Sequence, residues 1–148
     1  MKWCLRFAAL GLGGCDSLPR DFDGTSQRVH DSRAFRVGLI AGSNDGHCPD
    51  MAARYLGRVS AATGARPITV RGPAEALLGA LRRGEIDLVV GELDRTSPWA
   101  REVTIIEPLA SNCQAEVEYS AVARNGENRW IMLLEDAGRA VRQPGEKE

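Results

Sequence analysis

Hydrophobic and polar positions follow two rhythms along this chain, and the switches between them mark out its elements. Phe35-Arg36-Val37-Gly38-Leu39-Ile40 is a β-rich run that predicts a first strand. The Gly, Ser, Asn, Asp and Pro residues of 41–49 predict a loop. Met51, Tyr55, Leu56, Val59 and Ala62 then recur at helical spacing, predicting a helix over 50–63 with Asp50 as its N-cap and Gly64 as its stop. Residues 67–70 predict a second strand. Gly72-Pro73 turns the chain into a second helix over 74–83, with Leu77, Leu78 and Leu81 on one face and Gly84 after its end. The apolar run 86–91 predicts a strand buried on both faces. Residues 92–101 are polar and turn-like, and 103–106 predict a strand stopped by Pro108. Residues 116–124 alternate, with Val117, Tyr119, Ala121 and Ala123 on one face. After an Asn125-Gly126 turn, Trp130, Leu134, Ala137 and Val141 place a last helix over 128–141 on a core. The order β-α-β-α-β, then two strands and a helix, predicts an α/β domain with a mainly parallel sheet between helices.

The N-terminus follows a different pattern. Lys2 and Arg6 open it, Phe7 to Leu12 are apolar or small, and Leu12-Gly13-Gly14-Cys15 follows. A charged start, an apolar middle and small residues at the end form the layout of a secretory signal. The apolar part is far shorter than the roughly 20 residues a membrane-spanning helix needs. Leu-Gly-Gly-Cys resembles a bacterial lipobox, which implies a signal peptide over 1–14 and acylation of Cys15. Several acyl chains, at about 0.8 kcal/mol per buried CH₂, anchor stably where one chain does not. Asp16 resembles an inner-membrane retention signal, so the expected location is the periplasmic face of that membrane. Residues 15–33 are polar and without apolar period, which predicts a flexible tether. The folded unit is expected over 34–141, with a charged tail over 142–148.

Composition narrows the classes. A chain of 148 residues suits one domain, and 43% hydrophobic residues supply a core without a disulfide framework. There are 19 basic and 20 acidic residues, so loss of Lys2 and Arg6 leaves about −3. A nucleic-acid partner would call for a basic face, and none is expected.

Four stretches together resemble a known family: Phe35-Arg-Val-Gly38; Thr63-Gly64 at a helix end; Leu78-Gly-Ala-Leu-Arg-Arg-Gly-Glu-Ile-Asp-Leu-Val-Val-Gly91; and Val103-Thr-Ile-Ile-Glu-Pro108. They resemble the first lobe of the family 3 bacterial extracellular solute-binding proteins, the periplasmic receptors of amino-acid-type ABC importers. The resemblance runs over about 34–141. It implies a three-layer, periplasmic binding protein-like lobe acting as a binding or accessory subunit of a membrane transport system. Family members have about twice this length. They leave the first lobe after the Pro-ended strand, build a second lobe and return as a strand and helix. Here 115–124 and the Trp130 helix follow Pro108 almost directly, so the second lobe is expected to be absent. In the family two lobes close on the ligand about a hinge, whereas one lobe covers only one side of it.

The family's recognition turn is altered. Thr96 matches the family Thr, Trp99 stands where the carboxylate-binding Arg is found, and Glu92 and Asp94 replace hydroxyl residues. Two added carboxylates favour a small polar or cationic solute over the carboxylate of an amino acid. Ligands of open α/β sheets bind outside the strands' C-terminal ends. The expected ligand-binding residues are therefore Ser43, Asn44, Glu92, Asp94, Thr96 and Trp99. Cys48 and Cys113 both fall near that edge, and an exported chain meets oxidising conditions. A disulfide between them is expected, the alternative being two separate thiols. The Gly42–Gly46 loop reads as a turn or as an anion site at a helix N-terminus. No residue has the spacing of a catalytic nucleophile, a cofactor motif or a metal site.

The expected partners are the solute, a membrane transporter subunit and the lipid bilayer, with a homodimer as a way to supply the missing lobe. Two other readings stay open: a lobe that has lost its ligand and serves as a protein-interaction module of an envelope complex, and an envelope enzyme of unrecognised type.

Overall fold

Phe35, Val37 and Leu39 point to one side of the first strand, and all three are buried. Arg36, Gly38 and Ile40 point to the other side, where Ile40 joins a second core cluster. This strand, β1 (Ala34–Ile40), is therefore covered on both faces and lies inside the sheet. The computed structural model describes residues 19–42, 50–93, 96–109 and 118–143. The expected signal segment and Cys15, Ser43, Asn44, Cys48, Asp94 and Cys113 fall outside them.

Helix α1 (Thr25–Ser32) precedes β1. After it come α2 (Met51–Thr63), β2 (Arg66–Gly72), α3 (Ala74–Arg82) and β3 (Leu88–Leu93). A 3₁₀ turn (Pro98–Arg101), β4 (Val103–Ile105), β5 (Glu118–Arg124) and α4 (Asn128–Arg142) complete the chain. The five strands lie in the order β2-β1-β3-β5-β4. β1 pairs in parallel with β2 and β3, while β5 pairs antiparallel with β3 and β4. β1 to β4 thus share one direction and β5 runs against them, so the sheet is mixed but mostly parallel, as expected. β1 to β4 all end at one edge, the C-terminal edge. β5 starts there and ends at the opposite, N-terminal edge.

Two cores follow from the two faces. On one, Phe35, Val37, Val90 and Ala121 pack with Tyr55 and Val59 of α2 and Trp130 and Leu134 of α4. On the other, Leu77, Leu78 and Leu81 of α3 cover Ile40, Val89 and Val122. Gly64 ends α2 at φ +65 with its N–H on the Ser60 carbonyl, as the sequence predicted. Asp50 does not act as the expected N-cap. It has φ +64, and no side-chain hydrogen bond caps α2.

The expectation of a flexible tether over 15–33 needs correcting from Asp21 onward. Asp21 pairs in a bridge with Glu127, and Phe22 N–H donates to the Gly126 carbonyl at 3.0 Å. The Asp21 carboxylate accepts from Ser26 N–H at the start of α1 and from Trp130 N–H at the start of α4. Buried Glu127 returns the favour, accepting from the N–H groups of Asp23 and Thr25 at 2.7 and 2.8 Å. Two helix starts are thus capped by two carboxylates from distant parts of the chain, which satisfies N–H groups that have no intrahelical partner. Val29 of α1 is buried in the first core. The physical reason for the misreading is that α1 offers only Val29 as an apolar anchor, so no period shows in its sequence.

The C-terminal boundary shifts as well. Arg142, read as the first residue of a charged tail, belongs to α4. Its guanidinium donates to the carbonyls of Glu107 and Pro108 and meets the Glu107 carboxylate at 3.1 Å.

Candidate functional site

The C-terminal edge collects the ends of β1 at Ile40 and β3 at Leu93, the start of β5 at Glu118, and the first turns of α2 and α3. Among the predicted site residues that are described, Glu92 belongs to this edge. It lies in β3 opposite Tyr119 of β5 and is half-buried. β3 reaches Leu93, two residues further than the sequence suggested, so Glu92 belongs to a strand and not to a turn. Ser43 and Asn44 follow Gly42 and Asp94 follows Leu93, so their chain segments join the described fold at this same edge. Thr96 is exposed on the turn that leads away from it.

Trp99, expected among the ligand-binding residues, belongs to the 3₁₀ turn between β3 and β4. β3 and β4 point the same way, so the chain between them must return from the C-terminal to the N-terminal edge, and the 3₁₀ turn lies on that return path. The half-buried indole packs along α3 against the second core. Its Nε1–H donates to Glu75 Oε2 at 2.8 Å, and the Arg82 guanidinium lies 5.6 Å from its ring centre. Arg82 in turn pairs with Glu102 at 2.6 Å. Trp99 thus holds the crossover segment onto α3, an aromatic–cation arrangement.

Sequence reasoning missed two carboxylates here. Glu118 is half-buried opposite Leu93 on β5, and Glu75 occupies the first turn of α3. An acid in a first helical turn is favoured by the helix dipole, and that signal alone pointed to Glu75. Only strand pairing brings Glu118 beside the end of β3. Three carboxylates, Glu75, Glu92 and Glu118, therefore stand at the C-terminal edge, each engaged in an interaction of its own. No group of three His, Cys, Asp or Glu among the described residues is placed to hold a metal ion.

Beneath this edge the strand register is fixed by a second polar centre. The Asp87 side chain is 1% exposed and pairs with Arg28 at 2.6 Å and Arg36 at 2.7 Å. It also accepts from the Arg36 N–H at 2.8 Å. Burial alone would raise its pKa, but the hydrogen bonds from Arg36 and Arg28 outweigh burial and hold the carboxyl below its ordinary value. The Asp87 carbonyl accepts the Trp130 indole N–H at 2.9 Å. Asp87 so ties α1, β1, β3 and α4 together at the N-terminal edge, remote from any solute.

A concavity of about 830 Å³ lies on the first-core side between α1, α2 and α4, lined by Val29, His30, Arg58, Thr63, Met132 and Leu133 among others. Of the predicted site residues that are described, Glu92, Thr96 and Trp99 do not line it.

No family model matches the chain, and no curated protein does. Solved structures match it closely in fold. The arginine-bound form of domain 1 from TmArgBP superposes with a TM-score of 0.63 at 15% identity, over 76% of this chain and 96% of that one. An ArgBP variant from T. maritima gives 0.68 at 8% identity, over 82% and 95%. The substrate-binding protein of an amino acid ABC transporter gives 0.62 at 8% identity, over 76% and 95%. At these identities the likeness establishes the fold. The chain is a single α/β lobe of the solute-binding protein architecture, and the expected three-layer lobe is what the structure shows.

Proposed function

We propose that this protein is a lipid-anchored, single-lobe solute-binding module that takes a small cationic solute at the C-terminal edge of its sheet. One observation carries the reading: the chain spans nearly the whole of a one-lobe structure described as arginine-bound, TmArgBP domain 1. A lobe without its closing partner is thus no bar to a bound solute. The carboxylates at the C-terminal edge support a cation. Glu92 lies at the end of β3, and Asp94 and Thr96 follow it in sequence. A guanidinium or ammonium group would bind by charge-assisted hydrogen bonds to such carboxylates. The module would serve a membrane transport system as a binding or accessory subunit, held at the periplasmic face of the membrane by acylated Cys15. No helix among the described residues is long and apolar enough to cross a membrane, and acylation would supply the attachment. A Cys48–Cys113 disulfide would brace the loops around the site.

Titration calorimetry with L-arginine tests the solute. Arginine should bind the wild type, and Glu92→Gln should weaken it by about tenfold or more, the scale of one charge-assisted hydrogen bond. Glu85→Gln, at the opposite edge, should leave the affinity unchanged. Equal affinities for wild type and Glu92→Gln, or no heat from arginine or lysine with the folded wild type, would sink this reading.

A further inference from the structure

β5 runs against the other strands, so its end at Arg124 delivers the chain to the N-terminal edge. There the Asp21–Glu127 bridge and the Phe22–Gly126 hydrogen bond fix the first described residues. The chain therefore leaves the fold toward Cys15 at the edge opposite the candidate solute site. Three residues separate Cys15 from Pro19. An extended chain covers at most about 3.5 Å per residue, so a lipid on Cys15 keeps Pro19 within about 14 Å of the bilayer surface. This is too short a leash for the domain to turn over freely.

The same edge carries features suited to a bilayer. Phe22 is 87% exposed, well above the other exposed large apolar residues. Among the acids nearby, Asp23 is held by Arg124 at 2.9 Å, Glu85 by Arg83 at 2.6 Å and Asp87 by Arg28 and Arg36, while exposed Asp31 meets His30 at 3.1 Å. The side chains of Arg33, Arg66 and Arg129 are exposed and meet no partner among the described residues. They stand where α1 hands over to β1, where β2 begins and where α4 begins, all at this edge. Unpaired cations close to a bilayer are drawn to anionic headgroups, and an exposed aromatic beside an acyl anchor partitions into the interface.

We propose that the N-terminal edge is a membrane-contact surface. Phe22 enters the bilayer interface beside the acyl anchor, Arg33, Arg66 and Arg129 rest over anionic headgroups, and the candidate solute edge points away from the membrane. This inference rests on acylation of Cys15, and its test keeps the two apart. The processed protein is reconstituted into phosphatidylglycerol-containing vesicles that include brominated phosphatidylcholine, and each variant is read against its parent. The added emission of Phe22→Trp should shift to the blue and be lost to quenching. Ile68→Trp, exposed midway along β2, should keep its emission. Combining Arg33→Glu and Arg129→Glu with Phe22→Trp should restore emission, as should removing phosphatidylglycerol. Vesicle-bound Phe22→Trp protein quenched no more than Ile68→Trp would overturn the contact surface and leave the anchor standing. Radiolabelled palmitate should enter the wild type and not Cys15→Ser. If it enters neither, the anchor reading falls and this surface falls with it.

Discussion

Trp130→Ala is expected to remove about 4 kcal/mol of folding stability, the scale of a large aromatic deleted from a core that cannot collapse around the gap. The indole is 1% exposed and meets Phe35 edge to face, with ring centres 6.0 Å apart at 61°. It is also an anchor between elements distant in sequence. It roots α4 against β1, and its N–H satisfies the Asp87 carbonyl at 2.9 Å. Alanine would open a large cavity and orphan that carbonyl together. Urea unfolding followed by far-ultraviolet circular dichroism measures the loss. A change below about 1 kcal/mol, ordinary for surface sites, would show that α4 is not seated as described.

Asp87→Ala should cost about 3 kcal/mol. Removing one partner of a buried ion pair usually costs 3–5 kcal/mol, but Arg28 and Arg36 keep 41% and 36% of their side chains exposed and regain some hydration. The loss also frees the Arg36 N–H from its acceptor. Asp87→Asn keeps the shape and should cost less. The sign of the pH effect follows from the lowered pKa. Above the ordinary carboxyl value of 3.8 the stabilisation is fully present. It is lost as pH falls through the depressed native value, because the native state must then take up a proton it resists. Asp87→Asn should therefore flatten the acid limb of the stability curve. A wild-type curve with the same acid limb as Asp87→Asn would refute the assignment.

The strand and helix elements of the lobe were readable because their burial is periodic. β1, α2, α3 and α4 each present an apolar face to a core, and the sequence repeats at that face's spacing. Gly64 was readable for a local reason, since its φ of +65 suits glycine best. α1 was not readable. Its attachment consists of one buried valine, the Glu127 carboxylate about a hundred residues away, and the Arg28–Asp87 pair. No window along the chain contains both halves of such an interaction. The same holds for Asp87. It was noticed as part of a family-like run, but its partners Arg28 and Arg36 lie 59 and 51 residues earlier.

The candidate site divides along the same line. Glu92 and Thr96 drew attention through the resemblance to the family's recognition turn. The strand's extent through Leu93 was not legible, because Glu92 is a polar residue admitted to a strand end by pairing with β5. Trp99 drew attention because it stands where the family's carboxylate-binding Arg is found. Its packing on α3 was not legible, because it depends on β4 running in the same direction as β3, which sends the intervening chain back to the opposite edge.

By itself, then, the sequence determined an α/β lobe and its core helices. Those follow from local periodicity. Only the tertiary structure decided that α1 belongs to the fold, that Trp99 packs on α3, and that the chain enters at the edge opposite the candidate site. Each depends on strand direction or on pairing between distant residues, and neither is encoded in any single stretch of the chain.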